Sequence, residues 1–451
     1  MLVRMSTSAS RSRADRLVGL DLARFLALIG MMATHVWAYD VATGGDTPIT
    51  QLLSGKAAAL FAVLAGIGIV LTSRRDLAAG SPTAARLNLF GRGFTLLVLG
   101  LTLGVIPGGI YVIIAYYGVT FWLAIPAVTW RPRTLLIVAG VWAIVWPICS
   151  QALRMPLDGV DSPEIGSASW FDVASGGFAR GLLITGVYPA LTWIVYVLVG
   201  MAIGRMLMAA RADGTLRRFA LLLAAIGLGV AIAADRIAAL LLGPLGGVQG
   251  IARGMTGGLD PDPTTITAVE DALTEGMYGT SPTDSFWWLV ARSPHSGTTL
   301  DLVFTIGIAA VVIGLCLALG TVLNRGWTRV LMPATGAGAA PLTVYSAHVF
   351  MASVGALIAA IGLGITEDKI WLISSPQLWV LHVAGALLLG WIIALTRRRG
   401  PLETLVHASG RALARLGAGS GAGHTQAQAQ ASVQPQPTSP EWPTSPPHPD
   451  R

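Results

Sequence analysis

The feature that most constrains this chain is a succession of apolar runs, each about 20 residues long and separated by segments rich in arginine. Wound as a helix at about 1.5 Å per residue, such a run matches the hydrocarbon thickness of a bilayer. The pattern predicts an all-α polytopic membrane bundle of about ten helices, at about 17–37, 52–72, 91–107, 110–129, 134–153, 181–204, 219–242, 298–323, 339–363 and 372–396. Only 12% of the residues are charged, against about 25% in an ordinary soluble domain. A soluble fold is thereby excluded.

Charge asymmetry predicts orientation. Arginines crowd the segments 1–16, 73–90, 130–133, 205–218, 324–338 and 397–451, whereas acids such as Asp46, Asp158, Asp161, Glu164, Asp271 and Glu275 fall in the opposite loops. The positive-inside rule then places both termini in the cytoplasm of a plasma-membrane protein. The net charge of +7 follows from this bias and needs no nucleic-acid partner. The expected organisation is a cytoplasmic segment 1–16, read as leading into a retained first span, and a ten-helix domain 17–405. A cytoplasmic tail 406–451 follows, disordered from about Gly417 because its Gly, Ala, Gln, Ser and Pro cannot bury a core. Two outer loops are long, roughly 154–180 and 243–297, and residues 266–278 predict a short amphipathic helix over the outer mouth. Close glycine pairs, Gly100–Gly104 and Gly200–Gly204, predict tight helix packing. Cys149 and Cys316 predict neither a disulfide nor a metal site. Phosphate-loop, zinc-protease and nucleophile-elbow motifs are absent, which excludes the corresponding soluble hydrolases.

The first apolar run, RLVGLDLARFLALIGMMATHVWAYD (Arg16 to Asp40), carries Asp21, Arg24 and His35. Ionisable groups inside a membrane helix are costly and ask for a reason. At about 100° per residue, Arg24 and His35 share one face and stand about 16 Å apart along the axis. His35 reads as an interfacial histidine or as a general base or transient acyl acceptor, since imidazole titrates near neutral pH. Asp21 and Arg24 either pair at i, i+3 to anchor the helix, or Arg24 meets a phosphate-bearing ligand, for which guanidinium is suited.

Further along, Asp235 and Arg236 interrupt an apolar run and read either as a structural ion pair or as part of an external substrate vestibule. His295 is a loop histidine or an acceptor-orienting group. His348, in PLTVYSAHVFM, is an intramembrane histidine with a functional reading and an equally good one in helix-to-helix hydrogen bonding. His382 reads as packing, and His407 carries no assigned role.

Several stretches resemble known membrane acyltransferases. RLVGLDLARFLALIGMMATH resembles the opening helix of the heparan-α-glucosaminide N-acetyltransferase-like families, with its R-L-x-x-(hydrophobic)-D-x-x-R-G pattern. GKAAALFAVLAGIGIVL (Gly55 to Leu71) is similar to their second helix, and YPALTWIVYVLVGMAIGR (Tyr188 to Arg205) to their Y-P-x-L-P-W…G-x-x-x-G-R element. APLTVYSAHVF (Ala340 to Phe350) and RRGPLETL (Arg398 to Leu405) resemble late elements of the related YeiB-like membrane proteins. In this alignment the lysosomal member has asparagine where His35 falls and its catalytic histidine where this chain has Asp46. Phe25 replaces the pattern's glycine.

The resemblance implies acyl-CoA, commonly acetyl-CoA, bound from the cytoplasm as co-substrate, without a metal, and an acyl group passed to an extracytoplasmic glycan, glycolipid or small-molecule acceptor. On that reading His35 and Asp46 are catalytic, and Arg24 and Asp21 bind the CoA moiety. Arg236, Asp235, His295 and His348 serve the acceptor. Arg86 and Arg92 stand where they either aid CoA binding or anchor the membrane surface. The expected partners are the lipid bilayer, acyl-CoA, the acceptor and a second copy of the chain in a homodimer. A small-molecule transporter using the same polar midline, and a non-catalytic membrane protein of the same fold, remain as alternatives.

Overall fold

A computed structural model of the chain describes residues 17–39, 45–157, 167–361 and 371–431. The predicted segment 1–16, the acids Asp158, Asp161 and Glu164, and the end of the tail lie outside these residues. The fold is all-α; the isolated antiparallel bridge between Tyr39 and Asp46 is the one strand-like pairing among the described residues. The main helices are α1 (Val18–Val36), α2 (Lys56–Ala78), α3 (Pro82–Gly104), α4 (Ile114–Leu123), α5 (Pro132–Arg154), α6 (Ala190–Ala212) and α7 (Leu216–Leu242). They continue with α8 (Gly247–Met255), α9 (Pro263–Glu275), α10 (Thr299–Val322), α11 (Met332–Ala339), α12 (Pro341–Ala360), α13 (Pro376–Thr396) and α14 (Pro401–Ala431).

Among the described residues nine segments are long and apolar enough to cross a membrane, so this is a multi-pass membrane protein. The run predicted at 110–129 forms a shorter helix, α4, followed by a 3-10 turn over Pro126–Thr129. Pro107-Gly108-Gly109 precedes it and Pro126 follows it, and both interrupt a helix. The span predicted at 181–204 lies instead at Ala190–Ala212, because Gly186 and Pro189 separate a short π-turn (Gly181–Thr185) from the helix proper. Proline opens α3, α5, α9, α12, α13 and α14, where its missing N–H is not needed. Side chains of Ser81, Asp262, Thr298 and Ser375 cap α3, α9, α10 and α13. The last helix carries on to Ala431, past Gly417, where composition predicts loss of structure; alanine and glutamine are strong helix formers.

Close backbone approach holds the bundle together. A methyl group at Gly66 would strike the Val197 carbonyl, and one at Gly200 would strike that of Val63, so α2 and α6 pack through bare backbone as the glycine spacing predicts. The outer faces of α5 and α7 expose Ile137, Val141, Ile144, Leu222, Ile226 and Ile232. Such faces suit lipid rather than water. The long segment after α7 folds over one end as α8, α9 and a 3-10 turn (Phe286–Val290), packed around Ile251, Val269 and Trp288. The short helix predicted at 266–278 is α9, shifted a few residues earlier.

Candidate functional site

Two cavities enter the bundle from opposite ends of the same helices. One, of about 420 Å³, is lined by His35 at the end of α1, by Ala57 and Ala58 of α2, Ile113, and Tyr345 of α12. The other, of about 550 Å³, is lined by Arg24 of α1, Phe61 and Leu64 of α2, Ile114 and Tyr117 of α4, and Leu342 of α12. Ala58 and Phe61, Ile113 and Ile114, and Leu342 and Tyr345 thus fall on opposite sides of a partition about one helical turn thick. The single helix face that carries Arg24 and His35 serves both chambers.

The His35 cavity is rich in aromatic hydroxyls and carboxyls. Tyr39, Tyr111, Tyr188, Tyr278 and Tyr345 line it, with Asp46 and Glu275. Asp46 is brought there by its bridge to Tyr39; burial, then the Glu275 carboxylate, raises its pKa above the usual range. Glu275, Met277 and Tyr278 come from the end of α9 and the residues that follow. That stretch is tied down by the Met277 N–H donating to the Pro294 carbonyl (2.8 Å) and the Gly279 N–H to that of His295 (2.9 Å).

His295 lines this cavity in a left-handed backbone conformation, φ +58°, uncommon for a residue with a side chain. Its Nε2 accepts the Gly55 N–H at 3.2 Å, which puts the proton of the neutral ring on Nδ1. Burial, then the Lys56 ammonium, pushes its pKa down to about 4, so it is neutral at physiological pH. With its base nitrogen engaged, His295 is a latch between the loop and the start of α2.

His35 differs. Its Nδ1 lies 3.0 Å from Nε2 of His348, and no protein group bonds its Nε2 among the described residues. His348 in turn meets His382 through their Nδ1 atoms at 2.6 Å. Neither His348 nor His382 lines the cavity. Close by, α11 packs tightly on both α1 and α13: Gly338 lies against the Asp21 carbonyl of α1, and Gly336 against Gly390 of α13. The Trp379 indole N–H also donates to the Ile29 carbonyl at 3.0 Å, setting the register of α13 on α1.

The Arg24 cavity is electropositive. Arg24, Arg75, Arg92, Arg399 and Arg411 line it. Arg24 pairs with buried Asp21 at 3.0 Å, and Arg411 with buried Asp76 at 2.7 Å, which also accepts from Asn88 at 3.1 Å. Glu403 lines it too, but its carboxylate caps the start of α12, accepting the Leu342 N–H (2.6 Å), the Thr343 N–H (3.1 Å) and the Thr343 hydroxyl (2.6 Å). That cap gives the G-P-L-E element its physical role. Among the described residues Arg75, Arg92 and Arg399 have no carboxylate partner, and the buried Nε of Arg92 has no hydrogen-bond acceptor. His407, also on the wall, is pushed below its ordinary pKa by burial and then by Arg399, Arg92 and Arg411.

The sequence-predicted residues therefore sort cleanly. His35, Asp46 and His295 share one cavity, Arg24 lines the other with Asp21 as its ion partner, and His348 stands directly behind His35. Asp235 and Arg236 line neither cavity: Asp235 is held by Arg236 at 2.6 Å and by Arg292 at 3.0 Å. Arg86 is exposed, whereas Arg92 is in the cavity. Sequence reasoning assigned His382 to packing and overlooked Arg75, Arg399, Arg411 and the tyrosines. His382 had a signal, as an ionisable residue within an apolar span. The others gather from distant loops and helix ends, with no local motif. The two cysteines are free, and no cluster of three metal-ligating side chains occurs among the described residues.

None of the curated proteins matches the chain. A family model described as heparan-alpha-glucosaminide N-acetyltransferase, catalytic, matches residues 16–230, which carry Asp21, Arg24, His35, Asp46, Arg75 and Arg92. His295, His348, His382 and the arginines of the last helix lie beyond the match. Over residues 16–230, a little under half of its length, the chain is similar to the heparan-alpha-glucosaminide N-acetyltransferase catalytic family, a family of membrane acetyltransferases.

Proposed function

We propose that the protein passes an acetyl or other acyl group from acyl-CoA in the Arg24 cavity to an acceptor, a glycan or glycolipid, in the His35 cavity. The observation that carries this reading is the pair of end-to-end cavities separated by one helical turn, one arginine-lined and the other holding an imidazole whose Nε2 has no partner among the described residues. Arg75, Arg92 and Arg399 suit the phosphates of a CoA moiety, because guanidinium forks match phosphate oxygens and lack a competing carboxylate here. The tyrosine faces, with Asp46 and Glu275 to accept hydroxyl protons, suit a sugar. With the arginine-rich end in the cytoplasm, as the positive-inside rule orients it, the acceptor side is extracytoplasmic.

In this mechanism acyl-CoA supplies the activated carbonyl as a thioester. Nε2 of His35 takes the proton from the acceptor hydroxyl or amine as that atom bonds to the acyl carbon, and returns it to the departing thiolate. His295, neutral and latched to Gly55, keeps the wall in place without competing for that proton.

The test is transfer of labelled acetyl from acetyl-CoA to added glycans by purified protein in liposomes, wild type against His35→Ala. Label on the acceptor, lost in the variant, supports the enzyme. Two cavities meeting end to end also suit a transporter. Flux of a solute with no acyl transfer from any acyl-CoA would favour that reading and sink this one.

A further inference from the structure

Three imidazoles from α1, α12 and α13, distant in sequence, stand in one hydrogen-bonded row. His35 and His348 meet with their rings 7° from parallel, and the His348 and His382 rings cross at 76°. His348 is 3% exposed and His382 1%, so water does not complete their bonding. Nε2 of His382 is buried with no partner, which makes it the end of the row.

A neutral imidazole has one N–H and one bare nitrogen. Each N···N contact needs one donor and one acceptor, so the direction of one bond dictates the other. If His35 donates from Nδ1, its Nε2 is bare; His348 then accepts at Nε2 and donates from Nδ1 to His382. If the row runs the other way, His35 presents an N–H to its cavity and has no lone pair there. Only the first arrangement makes His35 a base. His382 touches no cavity, yet it is coupled to which of the two exists.

We propose that His348 and His382 are positioning residues that hold His35 with its Nε2 bare toward the cavity. The proposal rests on the acyltransferase reading of that cavity. His348 stands where other acyl-transfer sites place a carboxylate or amide behind the histidine. The arriving proton adds to Nε2 of His35, whose Nδ1–H strengthens its bond to His348, and it leaves from the same Nε2. His348 and His382 keep their own protons throughout, because the row ends at an unpartnered nitrogen and has nowhere to pass one on.

The test compares His382→Phe with His382→Asn in the full chain in lipid nanodiscs. Asparagine offers an amide close to where Nδ1 stands and retains the hydrogen bond; phenylalanine fills the space without one. The expected result is a kcat lower by roughly tenfold or more in His382→Phe, both KM values unchanged, and most of the loss restored in His382→Asn. Nitrogen-15 NMR of histidine-labelled protein should show a protonated Nδ1 and bare Nε2 at His35 in wild type and His382→Asn, and a mixture of tautomers in His382→Phe. A His382→Phe protein with wild-type kcat, an asparagine variant as impaired as phenylalanine, or a His35 spectrum unchanged in His382→Phe would overturn the proposal. If no acyl transfer is found in wild type while the spectra change as described, the acyltransferase reading fails and the positioning role of the row stands.

Discussion

The two cavities share walls from α1, α2 and α12 and differ in the charge they present. The Arg24 cavity gathers five guanidinium groups against the carboxylates of Asp21, Asp76 and Glu403, one of which is committed to capping a helix. The His35 cavity holds two histidines, five tyrosines and a pair of carboxyls. A binding site for phosphate needs fixed positive charge, whereas a site for general-base chemistry needs a lone pair that stays unprotonated near neutral pH. On the proposed reading one helix, α1, serves the first through Arg24 and the second through His35. The proposed function is thus divided along a helix axis rather than between domains.

The largest effect that would sharpen this division is on the chemistry. His35→Ala should lower kcat by roughly a hundredfold or more while leaving the KM for acyl-CoA unchanged. A variant that raised the donor KM instead would erase the distinction between the chambers.

The second prediction concerns the neutrality of the His35 cavity. Because His295 is held near 4 when folded and titrates near 6.5 when unfolded, the unfolded state binds the extra proton between those values. Stability should therefore fall as pH drops from about 6.5 to about 4, by up to about 3 kcal/mol, and change no further from this group below that. Denaturant unfolding in detergent across that range should show the slope in wild type and lose this contribution in His295→Gln. An identical slope in both proteins would mean that His295 is not kept neutral by the fold.

Third, Arg92→Gln should raise the donor KM roughly thirtyfold, equivalent to about 2 kcal/mol for a lost charge-assisted contact, and leave the acceptor KM alone. Steady-state kinetics with each substrate varied separately checks this, and an effect on the acceptor alone would break the comparison. The smallest effect is expected from Glu275→Gln. Removing that carboxylate should lower the Asp46 pKa and move the acid limb of the acceptor KM profile to lower pH, by only part of the shift, since burial is its larger cause.

The sequence is a better guide to some of these residues than to others, for physical reasons. Arg24 and His35 were legible because both sit on one regular helix, where about 3.6 residues per turn relate spacing to direction. Asp46 and His295 were legible as residue types but not as neighbours: their approach depends on how the loop after α9 folds back on the start of α2. Asp235 and Arg236 show the converse. Their charges in an apolar run suggested a vestibule, but Arg292, distant in sequence, completes an ion cluster away from both cavities. His382 looked inert because its nearest sequence neighbours are apolar, and its partner comes from another helix.

By itself the amino-acid sequence determined the membrane class, the helices and the face that α1 presents, because these follow from run length, apolar composition and helical period. Only the tertiary structure decided that the helices enclose two chambers with a thin wall between them and that three histidines join in one row. Those depend on side chains from segments far apart in the chain, brought within hydrogen-bond reach by the packing of separate helices, and no local pattern encodes such a meeting.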